Sequence, residues 1–202
     1  MTYQTTEPLP SYRLNASNRS ASEVAGESMW PQLDLNPPYQ RGSVWNHDQR
    51  MALVRSWIMG VAIPAVILNN RDNPEWAAAE GSIYGNGHRD DFLPTWAVVD
   101  GKQRIETARL WFESLLAVPA SWFVADRVEH THATSDGPYV TFHELTRPGQ
   151  LFTMRDWQLA ICEPKLPNLT AEAELYLLVN GGGTPQTEAD MANAARVAAR
   201  KR

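Results

Sequence analysis

Polar and apolar positions divide the chain into short runs and helical stretches separated by polar segments. Residues 1–28 are rich in Thr, Ser, Asn and Glu with little periodicity, and are expected to form a loosely ordered, flexible arm. From Trp30 to Leu35 apolar and polar residues alternate as in a short strand, and Asn36-Pro37-Pro38 then forces an extended turn. Asn46-His47-Asp48-Gln49 has the form of a capping box, and Leu53, Val54, Trp57, Ile58 and Val61 follow at helical spacing up to the breakers Gly60 and Pro64. Ala65-Val66-Ile67-Leu68 and Trp96-Ala97-Val98-Val99 read as buried strands. The second runs straight into Asp100-Gly101 and a helical face of Ile105, Ala108, Phe112, Leu115 and Leu116.

Ser121 to Val124 and Trp157 to Ile161 are candidate strands, and Thr170 to Val179 a helix with Thr170 as its cap. Asn180 to Pro185 breaks that helix, and Thr187 with Asp190 opens a last one carrying Met191, Ala194, Ala195 and Ala198. Residues 69–95 and 126–150 read as long surface loops. Few strands interleaved with helices predict an α+β or α/β class, with a small sheet in a single domain over 29–202.

Composition adds limits. At 202 residues and 43% hydrophobic content the chain can build a proper core, and eight tryptophans predict that aromatic packing dominates it. A single cysteine, Cys162, excludes an internal disulfide and a cysteine-rich zinc site and suits a reducing compartment. No run approaches the ~20 apolar residues of a membrane span, and the N-terminus lacks a signal-peptide pattern, so a cytoplasmic protein without membrane contact is expected. A net charge of −5 and the lack of a long basic stripe argue against a wide DNA-gripping face. The basic tail Arg196, Arg200, Lys201 and Arg202 is read as complementing a helix C-terminus.

Three segments could carry chemistry. In the strand–Asp100-Gly101–helix unit, a helix N-terminus offers unpaired amides to a phosphate, and Lys102 and Arg104 add cations. Asp100 could hold a magnesium ion or orient a water. The same residues also fit a plain strand-to-helix turn with Asp100 as N-cap. Asn180 to Pro185 could cradle an anion in a backbone nest, or simply end a helix. In Pro38 to Trp45 an aromatic, an amide and a guanidinium could stack a base and reach a phosphate, or Tyr39 and Trp45 could be core aromatics. The histidines lack metal-ligand spacing, and there is no Walker-type phosphate loop.

Together these segments resemble a known family. Tyr39-Gln40-Arg41–x–x–Val44-Trp45, Asp100-Gly101-Lys102-Gln103-Arg104 and Asn180–x–Gly182-Gly183-Thr184-Pro185 occur in the order seen in the ParB-like nucleotidase domain at the N-terminus of GmrSD-type modified-DNA restriction enzymes. Phosphorothioate-sensing defence proteins carry the same domain type. The family writes the middle motif DGQQR and the last NxGGTPL. The resemblance covers roughly residues 30–197, with 69–95 and 126–150 matching poorly.

It implies a ParB/sulfiredoxin-like α+β fold, a small mixed sheet flanked by helices, that binds an NTP (ATP, GTP or CTP) with Mg2+. Carried over by position, Asp100, Gln103 and Arg104 would be catalytic, with Asp100 also the metal ligand. Gln40, Arg41, Gly101, Lys102, Asn180, Gly182, Gly183 and Thr184 would bind the nucleotide. Lys102 stands where the family has glutamine, and Gln186 where an apolar residue is common. The resemblance also implies a following HNH-type nuclease domain, for which this chain has no room, so the nuclease is expected as a separate partner or the nucleotide serves another end. Three functions follow: an NTPase acting in bacterial or phage DNA modification or restriction, with local contacts to modified DNA; a kinase acting on a hydroxyl of a small molecule or modified base; or a non-catalytic, nucleotide-switched subunit of a nuclease.

Overall fold

The computed structural model describes residues 8–40, 42–85 and 93–181. In chain order its strands are β1 (Leu14–Ser20), β2 (Leu33–Asp34), β3 (Val66–Asn70), β4 (Trp96–Asp100), β5 (Val118–Pro119), β6 (His132–Thr134), β7 (Gly137–Val140) and β8 (Gln158–Pro164). The helices are α1 (Ala21–Val24), α2 (His47–Ile58), α3 (Pro74–Glu80), α4 (Lys102–Phe112), α5 (Arg147–Asp156) and α6 (Leu169–Gly181). A five-stranded sheet runs in the order β1-β8-β3-β4-β2. It is mixed: β8 with β3 and β4 with β2 are parallel, whereas β1 with β8 and β3 with β4 are antiparallel. A smaller antiparallel sheet, β5-β7-β6, stands apart from it. The class is α+β.

Local chemistry explains most of these elements. Asn46 and Gln49 complete both halves of the capping box that starts α2. Asn73 caps α3 ahead of Pro74, and Thr146 caps α5 ahead of Pro148 in its first turn. Trp57 and Trp157 stack at 5.3 Å between ring centroids and Trp111 meets Trp157 at 5.1 Å, so tryptophans do organise the core.

Several segments differ from expectation. Residues 14–25, expected within a loose arm, form edge strand β1 and helix α1. The strand pairs along its whole length with β8, and Ala21, Val24 and Ala25 are buried. Backbone hydrogen bonding holds β1 while most of its side chains face solvent, so no alternation marks it. The 69–95 segment contains α3, with Trp76 buried under the Arg71 guanidinium (4.7 Å from ring centroid) instead of presented on a surface. The 126–150 segment contains the β6–β7 hairpin, whose Ser135-Asp136 turn leads into Gly137 at φ 119°, and the start of α5. The strand expected at Ser121 to Val124 is a short 3-10 turn at Ala120–Trp122, and strand pairing falls instead on β5. Trp30–Gln32 is likewise a 3-10 turn, leaving two residues for β2. Val61 lies beyond α2 and is exposed. The last expected helix and basic tail lie outside the described residues.

Helix α6 is fastened to the sheet by a buried polar cluster. Glu172 is fully buried and accepts from Asn69 Nδ2 (2.6 Å), Arg71 Nε (2.9 Å), Arg71 Nη2 (2.8 Å) and the Tyr39 hydroxyl (3.1 Å). Arg71 also reaches Asp34 Oδ2 at 2.8 Å, and Asn69 Oδ1 accepts from the Leu166 amide at 2.7 Å. Burial works to lower the Arg71 pKa, but the hydrogen bonds and charges of Glu172 and Asp34 outweigh it and hold the guanidinium firmly charged. Removing one partner of such a pair strands the other in a dry site.

Glu172→Ala is therefore expected to cost roughly 3–5 kcal/mol, read as a lowered urea midpoint; a midpoint at the wild-type value would refute the anchoring role. The cluster also sets an alkaline limit. Burial first, then the Glu172 charge and hydrogen bond, push the Tyr39 hydroxyl far above its ordinary value. The folded state then keeps a proton that the unfolded chain releases near pH ~10, so stability is complete below that pH and falls as pH rises through it. Unfolding measured across that range should show a shallower alkaline decline in Tyr39→Phe than in wild type.

Candidate functional site

The β4–α4 turn is built around one glycine. Gly101 takes φ 96°, a left-handed conformation that disfavours side chains, and a Cβ there would lie 2.6 Å from Val66 Cγ2 and 3.1 Å from Val66 Cα on β3. The N-cap of α4 is Gly101, not Asp100 as the plain-turn reading had it, and no side chain caps the helix. The first-turn amides thus lack the side-chain acceptor that usually occupies them.

Around that bare terminus lies a cleft of about 180 Å³ lined by Gln40, Trp45, Asp100, Gly101, Lys102, Gln103, Arg104, Tyr176 and Asn180. This is smaller than the ~300–1,000 Å³ of drug-sized pockets and is on the scale of phosphate groups with part of a larger ligand. Arg104 Nη2 donates to Asp100 Oδ2 (2.5 Å) and to the Ala65 carbonyl (3.1 Å). Its Nε is buried with no hydrogen-bond partner among the described residues. Lys102 is only 6% exposed, donates to Asn36 Oδ1 (2.6 Å) and sits 4.0 Å from Glu106.

The segment before α2 closes one side. Gln40 Nε2 donates to the carbonyls of Val98 (2.8 Å) and Val99 (3.0 Å), latching the Pro37–Gln40 turn onto β4. Gln103 Oε1 accepts from Ser43 Oγ (3.0 Å) and the Trp45 amide (3.2 Å), and Arg50 Nη2 donates to Ser43 Oγ (2.9 Å). These two glutamines hold the walls together through Gln40 Nε2 and Gln103 Oε1. Helix α6 closes the opposite side with Tyr176 and Asn180.

The structure thus gathers Gln40, Asp100, Gly101, Lys102, Gln103, Arg104 and Asn180 at one cleft. Arg41, Gly182, Gly183 and Thr184 lie outside the described residues. Asp100 is the sole carboxylate among the lining residues, and no group of three or more His, Cys, Asp or Glu side chains placed to hold a metal occurs among the described residues. Sequence reasoning missed Asn36, Arg50, Glu172 and Tyr176. The spacing of Glu172, Tyr176 and Asn180, each four residues from the last, was the available signal, since it sets all three on one helix face.

Away from the cleft, burial works to raise the Glu144 pKa, but hydrogen bonds from Thr141 and His132 outweigh it and hold the carboxyl below its ordinary value. This pairing belongs to the wall of the small sheet.

Gly101→Ala is expected to destabilise the fold by about 2 kcal/mol or more, from left-handed strain plus the clash with Val66. Thermal unfolding checks this, and an unshifted midpoint would show that the turn can relax.

Among the described residues no helix is long and apolar enough to cross a membrane. No curated protein and no solved structure matches the chain. Residues 26–153 match the family described as GmrSD restriction endonuclease, N-terminal domain. That span takes in β2 through most of α5, including both the Tyr39-Gln40 and Asp100–Arg104 segments, and stops before α6. Since it covers more than half of the chain, and the motif residues inside it converge on one cleft, the chain belongs to the family of GmrSD restriction endonuclease N-terminal domains.

Proposed function

We propose that this chain is a ParB-like nucleotide-binding domain that binds NTP phosphates at the α4 N-terminus and acts in restriction of modified DNA. The observation that carries the reading is the convergence of Arg104, Lys102 and an uncapped helix start on a polar cleft. Backbone amides at a helix start, the positive end of its dipole and two cations are what a polyphosphate needs. Arg104 Nε, which has no hydrogen-bond partner among the described residues, is consistent with that reading, since a ligand at the cleft could supply an acceptor.

The mixed five-stranded sheet with helices supports the ParB/sulfiredoxin-like reading of the fold. Magnesium would arrive with the nucleotide, held mainly by its phosphates and by Asp100, since this ion commonly takes only one or two protein carboxylates. Bound in that way it would neutralise charge on the phosphates. Gln103 and Gln40 act by holding the walls. Hydrolysis, transfer to a hydroxyl and binding alone are distinguished by their products: free phosphate, a phosphorylated acceptor, or unchanged nucleotide. The restriction role follows from family membership, with a nuclease as the natural partner.

Arg104→Ala should weaken NTP binding at least tenfold, the loss of about 1.4 kcal/mol or more. Titration calorimetry with ATP, GTP and CTP in magnesium measures this, and unchanged affinity for whichever nucleotide binds would sink the assignment.

A further inference from the structure

We infer that Tyr176 is the surface on which the nucleobase stacks, with its ring set in place by Tyr39 and by the buried Glu172 anchor. This rests on the proposed nucleotide reading and adds its second half.

The polar end of the cleft, formed by the α4 start with Lys102 and Arg104, suits phosphates, and a base needs an aromatic face elsewhere. Among the described residues, two aromatics line the cleft, Trp45 and Tyr176. Trp45 packs against the hydrophobic core, and its amide is tied to Gln103 on the phosphate side. Tyr176 instead comes from α6, an element that contributes no cation to the cleft, and its ring is half-buried. Tyr39, the other aromatic of the neighbouring motif, is committed elsewhere. Its hydroxyl donates to Glu172, and its ring sits against Tyr176 at 5.5 Å between centroids, tilted 44°. Tyr39 is thus a support for the platform.

The anchoring also accounts for the order along α6. Glu172, Tyr176 and Asn180 follow at successive fourth positions, so fixing Glu172 in its cluster of Asn69, Arg71 and Tyr39 fixes the rotation of the helix. Tyr176 then faces the cleft one turn later, and Asn180 a turn beyond. Asn180 Nδ2 donates to the Tyr176 carbonyl at 2.9 Å, which orients its amide so that Oδ1 is available to accept from the edge of a stacked base. A ring held at a preset angle loses little entropy when a base lies on it. Every nucleobase has a π-face, so this platform favours nucleotides over bare phosphates without choosing strongly among bases.

The test compares two probes on the whole chain: the NTP that binds best and inorganic tripolyphosphate, each with magnesium, titrated by calorimetry against wild type, Tyr176→Ala and Tyr176→Phe. Loss of a stacking face should weaken NTP binding on the order of 5- to 100-fold in Tyr176→Ala. Tyr176→Phe should restore it, and tripolyphosphate affinity should be the same in all three, which also reports that the phosphate site is folded. Equal NTP affinity in wild type and Tyr176→Ala would overturn the base platform and leave the phosphate site standing. A parallel loss of NTP and tripolyphosphate in Tyr176→Ala would also overturn it, making Tyr176 a wall of the phosphate site. Failure of wild type to bind either probe would overturn the nucleotide reading itself, and the platform with it.

Discussion

The fully buried carboxylate of Glu172 is the constraint on which the arrangement depends. An isolated charge in a dry interior is prohibitive, and this one is tolerated because a guanidinium, an amide and a phenol converge on it. Those partners come from two places, Asn69 and Arg71 at the end of β3 and Tyr39 in the turn after β2, while Glu172 itself comes from α6. Arg71 extends the set to Asp34 on β2. Satisfying one acid therefore joins an edge of the sheet, the turn that begins the cleft and the helix that closes it. A hydrophobic contact at the same place would contribute adhesion without this directionality. Four hydrogen bonds of defined angle specify how α6 is rotated as well as where it lies.

The cleft follows the same logic. Its cations are held in place by the protein before any anion arrives: Arg104 by Asp100 and the Ala65 carbonyl, Lys102 by Asn36. Gln103 and Gln40 contribute by tying loop to helix and loop to strand. Side chains already ordered lose less freedom on binding, and a site of this kind can be small and still selective for charge. Gly101 makes this possible, because only a residue without a Cβ lets β3 approach the turn so closely while α4 starts uncapped.

Features governed by neighbours in sequence were legible from the chain alone. The capping box at Asn46 and Gln49, the apolar stretches of β3 and β4, and the helix after Gly101 follow from local rules, although β3 runs two residues past the expected Leu68 and α4 stops at Phe112, before the exposed Leu115. The Asp100–Arg104 and Tyr39-Gln40 segments were legible by resemblance, and they do meet at one cleft. Features governed by distant partners were hidden. β1 is polar and exposed, and only its backbone pairing to β8, more than a hundred residues away, makes it a strand. Glu172 looks like any acid near the start of a helix; its burial depends on Asn69 and Arg71, which lay in a segment that read as a surface loop. Trp76 lies in that same segment and is buried beneath Arg71.

Lys102, where the resembling family has glutamine, sharpens what the cleft can do. A lysine only 6% exposed, fixed by Asn36 and flanked by Glu106, is part of the wall and not a mobile arm. Among the described lining residues two cations face one acid, a balance that in the proposed reading favours an anion. Asp100 is itself paired to Arg104.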